Sequence, residues 1–260
     1  MNRFLVLLAI LPLAACSRED AGDGSEVHAS PPAKSEEAQP PDGYRVTSVE
    51  NDATLAGRVR FGGAPPARAR LEVDHDAGTC GAHEILSEEL LVSADGGLAG
   101  VVVWLEGIQE GKDWSAGETI LDQKGCVYHP HVAVAGVGRP IRFVNSDPVI
   151  HNVNTFPRKN PPINVSLLPE GSGRPVLKKL RLPDEIKVTC DAHKWMSAWI
   201  VVRDNPYYAV TKEDGSFSIE GLPPGSHKMV VWHESLTRIE KEVELARDQT
   251  LELDFVLEKE

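Results

Sequence analysis

The chain has 260 residues, 41% of them hydrophobic and 25% charged, with 39 acidic side chains against 27 lysines and arginines and a formal charge of -12. That balance excludes the basic footprint of a nucleic-acid-binding surface, so no nucleic-acid partner is expected. In chain order, Met1-Asn2-Arg3 is a short basic start, and the apolar run Phe4 to Ala15 ends in small side chains just before Cys16. The run is too short to span a bilayer and reads as a signal peptide over residues 1–15.

Leu13-Ala14-Ala15-Cys16 resembles a bacterial lipobox. The resemblance implies that Cys16 is lipidated and that the mature chain is held to a membrane by that lipid. Ser17 beside it is similar to the signal for outer-membrane delivery, so the expected location is the cell envelope, on the periplasmic face of the outer membrane. Ser17 to Asp42 is rich in Ser, Glu, Ala, Pro and Gly and has hardly any large apolar side chain. Residues 16–43 therefore read as a lipidated cysteine and a flexible tether.

From Tyr44 onward, short β-rich runs alternate with Gly, Pro, Asn and Asp turns. The expected strands are Thr54 to Phe61, Val101 to Leu105, Val132 to Val137, Ile141 to Asn145, Val149 to Val153, Ile186 to Cys190, Ala198 to Val202, Phe217 to Ile219, Lys228 to Trp232 and Leu251 to Leu257. No sustained helical stripe with caps follows the signal peptide, so the fold class is all-β, built from one or two sandwiches. A boundary is expected at Asp204-Asn205-Pro206, separating a domain at 44–203 from a smaller one at 204–260. Asp214-Gly215 marks a tight hairpin turn and Pro223-Pro224-Gly225 a second turn. This phrasing over 207–257 resembles the carboxypeptidase regulatory-like, transthyretin-like β-sandwich. Thr54-Leu55-Ala56-Gly57-Arg58-Val59 resembles the opening strand of the same family, so strand 54–61 either completes that sheet or begins the preceding domain.

Export places the cysteines in an oxidising compartment. With Cys16 taken by lipid, Cys80, Cys126 and Cys190 remain, an odd count. The simplest account is a Cys80–Cys126 disulfide and a Cys190 thiolate protected by whatever binds it. Spacing does not decide connectivity, so Cys126 also stays open as a ligand. Thr189-Cys190-Asp191-Ala192-His193-Lys194-Trp195-Met196 puts thiolate, imidazole and thioether on one short stretch after a strand. Soft sulfur with imidazole selects copper over oxygen-loving cations.

Upstream, Asn145-Ser146-Asp147-Pro148-Val149-Ile150-His151-Asn152-Val153 ends a strand, turns, and starts another with histidine. The two phrases together are similar to those of the plastocyanin-like blue copper proteins, a cupredoxin family with a Greek-key β-sandwich. The resemblance implies that His151, Cys190 and His193 are copper ligands and Met196 the weak axial one. It also implies that Asn152 pins the ligand loop and that the ring edge of His193 is the exposed electron port. The gap of two residues between His193 and Met196 is closer to that of the binuclear centre of terminal oxidases. That centre needs a second cysteine in the loop, and none lies between Ile186 and Ile200, so one mononuclear copper cycling between +1 and +2 is expected.

Longer stretches are similar to exported copper proteins of the methylamine utilization type over about residues 54–235. They include Leu121 to Cys126, Pro130-His131-Val132, Trp195 to Trp199 and Pro206 to Thr211. The expected activity is one-electron transfer with a redox donor or acceptor protein of the envelope rather than catalysis. The alternative is Cu(I) binding and delivery to a copper acceptor protein. His131 is either a further ligand near the copper or a strand residue, and Trp195 either shields the metal, meets a partner or is plain aromatic core. Gly171-Ser172-Gly173 lacks the helix and lysine of a phosphate loop, and no metalloprotease His-Glu-x-x-His occurs.

Overall fold

The computed structural model describes residues 43–114 and 117–259. The expected signal peptide, the expected lipidation at Cys16 and the tether read as far as residue 42 lie outside the described residues. Within them the chain is almost entirely β, arranged as two sandwiches, and the one α-helix is the single turn Ala77–Cys80. No helix among the described residues is long and apolar enough to cross a membrane.

The first sandwich packs a five-stranded sheet on a four-stranded one. The five-stranded sheet runs Asn164–Leu167, His151–Phe156, Asp184–Thr189, Ser197–Arg203, Val132–Gly136. The facing sheet runs Val176–Lys179, Pro140–Asn145, Thr119–Lys124, Val127–His129. Alternation drives this packing: Ile186 and Val188, Ala198, Ile200 and Val202, and Ile141 and Phe143 all point into one core, while the residues between them face away from it. Thr119–Lys124 turns into Val127–His129 through Gly125 and Cys126, at φ +63° and +58°. A two-residue hairpin loop with both residues left-handed matches the strand twist.

The second sandwich draws on both ends of the described chain. Ala53–Phe61 is central to one sheet, between Ser216–Leu222 and Thr250–Glu252, and Phe255–Leu257 continues along it. Val102–Glu106 lies in the other, between Tyr208–Val210 and Gly225–Trp232, with Ile239–Leu245 at the edge. Segment 44–203 is therefore not one sandwich. The strand at 54–61 and the one at 102–106 complete the sheets begun after residue 204, because their inward residues Leu55, Val59, Val103 and Leu105 share a core with Phe217, Ile219, Met229 and Val231.

The Asp214-Gly215 turn forms, with Gly215 N–H donating to Lys212 O at 2.9 Å, but the strands on either side enter different sheets, so it is a corner rather than a hairpin within one sheet. A Cβ at Gly215 would lie 2.2 Å from Val59 O, and φ is +81°. Only glycine fits there.

The sandwiches meet through strands buried on both faces. Val102 and Trp104 alternate with Val103 and Leu105, and pack with Val230 and Trp232 against Val201 of the five-stranded sheet. The unbroken apolar run Val101 to Leu105 is the mark of this double burial.

Candidate metal centre

At one end of the first sandwich, His151 opens an inner strand and Cys190 and His193 follow the end of its neighbour. All three are buried, and their ligating atoms lie within 4.8 Å of one another. His151 Nδ1 is 2.8 Å from His193 Nδ1, and Cys190 Sγ is 3.6 Å from His193 Nδ1. The Asn152 amide approaches Cys190 Sγ at 3.5 Å. Met196 is buried in the same core, and its N–H donates to His193 O at 2.9 Å, closing a tight turn that brings residue 196 back beneath the loop.

The outer nitrogens of both imidazoles meet carboxylates. His151 Nε2 is 2.9 Å from Asp147 Oδ2 and His193 Nε2 is 2.9 Å from Asp76 Oδ2. An ionised carboxylate only accepts, so each Nε2 carries the hydrogen and each Nδ1 turns a lone pair inward. Two imidazole nitrogens and a thiol sulfur converge there in a buried space that could hold a metal ion. Burial, reinforced by the neighbouring His193, holds His151 below the usual imidazole range despite its bond to Asp147. A soft metal ion suits these donors, and the residues present fit copper.

The surroundings hold the donors from several directions. Asp147 accepts from the Gly125 amide at 2.7 Å and the Cys126 amide at 2.8 Å, which fixes its carboxylate against His151. Asn145 fixes the turn that carries Asp147 by accepting its N–H at 3.0 Å and donating to Val149 O at 2.8 Å. The one hydroxyl hydrogen of buried Tyr128 is shared between Asn152 O at 2.5 Å and Thr189 O at 3.0 Å, tying the two ligand strands together. Asn152 accepts the Asp191 N–H at 2.5 Å and donates to Asp191 Oδ2 at 2.9 Å, so it clasps the loop between Cys190 and His193. Bonds from Asn154 and Asn164 complete the cradle and hold the Asp191 carboxyl below the usual range.

Cys80 and Cys126 form a disulfide, and Cys190 is the free cysteine among the described residues. Cys126 is thereby removed as a ligand, although it lies close to Asp147 and His151. His131 is not brought to the centre. Its Nε2 bonds to Glu234 Oε1, whose other oxygen accepts from Trp199 Nε1 at 2.6 Å, so it links the two sandwiches. Trp195 is half-buried, lies 5.0 Å from His193 between ring centroids, and donates to Cys126 O at 3.0 Å.

The expected solvent-exposed edge of His193 is not found. The residue is 0% exposed, closed by Asp76 on its edge and by Trp195 on its face. Sequence reasoning missed Asp76 and Asp191 because exposed acidic residues are common in an acidic chain. It passed over Asp147 as a turn residue, although its position four before His151 was a signal.

No protein-family model and no curated protein matches the chain. Among solved structures, the copper-containing nitrite reductase from Thermus scotoductus SA-01 is 21% identical over 36% of this chain, with a TM-score of 0.31. This chain spans 24% of its length. The purple cupredoxin from Nitrosopumilus maritimus is 19% identical over 34% of this chain and 100% of its own, with a TM-score of 0.28. Amicyanin from Paracoccus versutus is 17% identical over 35% of this chain and 86% of its own, with a TM-score of 0.24. These likenesses are partial.

Proposed function

We propose that this chain is an exported, lipid-anchored envelope protein that holds one copper ion between His151, Cys190 and His193, with Met196 as a weak further donor, and passes single electrons between redox proteins. The observation that carries the reading is the orientation of the two imidazoles. Both outer nitrogens are engaged by carboxylates, leaving two inner lone pairs and a thiol sulfur facing one another. Copper bound there would supply reversible one-electron chemistry between its +1 and +2 states.

The chain's part is to bind, orient and exclude water. Asp147 and Asp76 fix the tautomers, Tyr128 and Asn152 fix the backbone that carries the ligands, and the apolar core around Val153, Val188 and Ala198 keeps solvent out. A ligand set held by β-strands changes little when an electron arrives. That favours electron transfer over bond-making, and the burial of all three donors favours retention of the metal over its delivery to an acceptor.

Metal analysis and an absorption spectrum of the full chain test the proposal. One copper per chain, intense colour when oxidised and bleaching on reduction are expected, and a colourless Cu(II) form would overturn the blue-copper assignment. Thiol counting on the unfolded, metal-free mature protein should find one reactive thiol before reduction, and three would overturn the assignment of Cys190 as the one free thiol.

A further inference from the structure

The segment between Ala53–Phe61 and Val102–Glu106 leaves the second sandwich, reaches over the metal end of the first and returns. Backbone closes its stem, with Leu71 N–H donating to Ile85 O at 2.9 Å and Ser87 N–H to Ala69 O at 2.8 Å. Leu71, Val73, Cys80 and Ile85 pack into the first sandwich's core, and the Cys80–Cys126 disulfide staples the tip beside the Gly125-Cys126 turn. The tip presents Asp76 at φ +48°, a left-handed conformation that aspartate tolerates better than most residues.

An aspartate before a helical turn ordinarily folds its carboxylate onto the amides that follow. Asp76 does not. Its main-chain carbonyl accepts from the Thr79 and Cys80 amides at 2.8 Å each, while its carboxylate makes no cap bond and reaches His193 Nε2 at 2.9 Å instead. Asp147 has the same relation to His151 but lies four residues from it in one turn, so it travels with its histidine. Asp76 lies 117 residues from His193 and reaches it only because the stapled flap carries it there.

We propose that Asp76 is a positioning residue of the metal centre, that the Cys80–Cys126 bridge holds it in place, and that this flap sets how slowly the metal is released. The inference rests on the copper reading above. A carboxylate on the outer nitrogen fixes the His193 tautomer, strengthens Nδ1 as a donor and covers the outer edge of the ring. A stronger donor stabilises the more oxidised metal, so loss of the contact should raise the reduction potential. The disulfide contributes no ligand. It acts through Asp76.

The test uses the full chain loaded with copper and challenged with excess bicinchoninate, followed by the rate of copper loss, the absorption spectrum and the reduction potential. Asp76→Asn should lose copper about 10–100-fold faster, with a raised potential. Its metal-free melting should match the parent, since the side chain is 48% exposed. Asp76→Glu should recover much of the retention. Cys80→Ser should release copper as fast as Asp76→Asn, and the double variant no faster than either alone. Unchanged retention and potential in Asp76→Asn would overturn the proposal, as would rate effects of the two substitutions that multiply. Should Cys80→Ser fail to fold, the two Asp76 variants decide alone. A parent protein that holds neither copper nor cobalt(II) overturns the copper reading and this proposal together, whereas a parent that holds copper as Asp76→Asn does overturns this one only.

Discussion

The two sandwiches are built from the same kind of alternating strand, yet they satisfy their buried polar groups differently. In the second, Asn205 donates to Leu105 O and accepts from the Tyr207 amide, and Thr211 bridges the Val101 amide and Leu98 O. These side chains serve the backbone. In the first, buried His151, His193 and Cys190 turn toward one another and take their outer support from Asp147, Asp76 and the Asn152 amide. Buried polar groups that close on the main chain describe a scaffold. Those that converge and leave lone pairs facing each other describe a site.

The sharpest way to break the contrast is Cys190→Ser. It should abolish metal binding and any charge-transfer colour with the fold intact, since a hydroxyl replaces the soft anionic donor with little change in volume. Retained colour and copper, read by absorption and metal analysis, would remove Cys190 from the site. In the second sandwich, Leu105→Ala, at a fully buried position, should cost about 2–5 kcal/mol of stability in denaturant titration. The metal spectrum of the folded fraction should not change; a shifted spectrum would mean that the two sandwiches are coupled more tightly than their hydrogen bonds indicate. Asn205→Ala should cost about 1–3 kcal/mol by leaving Leu105 O and the Tyr207 amide without their partner, again with no spectral effect.

The smallest effect concerns pH at the join between the sandwiches. Burial works against a charged His131, but the bond to Glu234 and the charges of Glu234 and Glu88 outweigh it and hold its pKa above the usual value. Its contribution to stability is therefore full below about pH 6.5 and is lost as pH rises through the elevated folded value. His233 next to Glu234 behaves oppositely. Burial pushes it down to about 4, so its contribution is present above about pH 6.5 and lost as pH falls toward that value. Melting temperatures across pH should lose their alkaline decline in His131→Gln and part of their acid decline in His233→Gln. Identical profiles in parent and variants would show that these residues do not couple the sandwiches to pH.

Much of the β-structure was legible because alternation and turn residues act locally. The expected strands at 54–61, 132–137, 141–145 and 198–202 fall on observed ones, shifted by a residue or two at their ends. Ile239–Leu245 was not legible, since only Val243 and Leu245 of Ile-Glu-Lys-Glu-Val-Glu-Leu are buried and the exposed face of an edge strand reads as a polar loop. Thr119–Lys124 and Asn164–Leu167 are likewise partly exposed, with polar residues between the apolar ones. At the candidate centre, Cys190 and His193 stand out only together with the upstream His151 phrase, whereas Asp76 behind His193 carries no local signature.

Neighbouring residues along the chain dictate the local features. These include the all-β class, the strand–turn phrases that start with His151 and end with Cys190 and His193, and the soft character of those donors. Only the tertiary structure decided that Ala53–Phe61 and Val102–Glu106 join strands from the far end of the chain, that Cys80 pairs with Cys126, that His131 belongs to an inter-sandwich contact, and that Asp76 closes over His193. The physical reason is range. Periodicity and turn chemistry are set by neighbours in the chain, while strand order, disulfide pairing and the carboxylate behind a histidine depend on which apolar faces find each other across more than a hundred residues, as Asp76 and His193 do with a separation of 117.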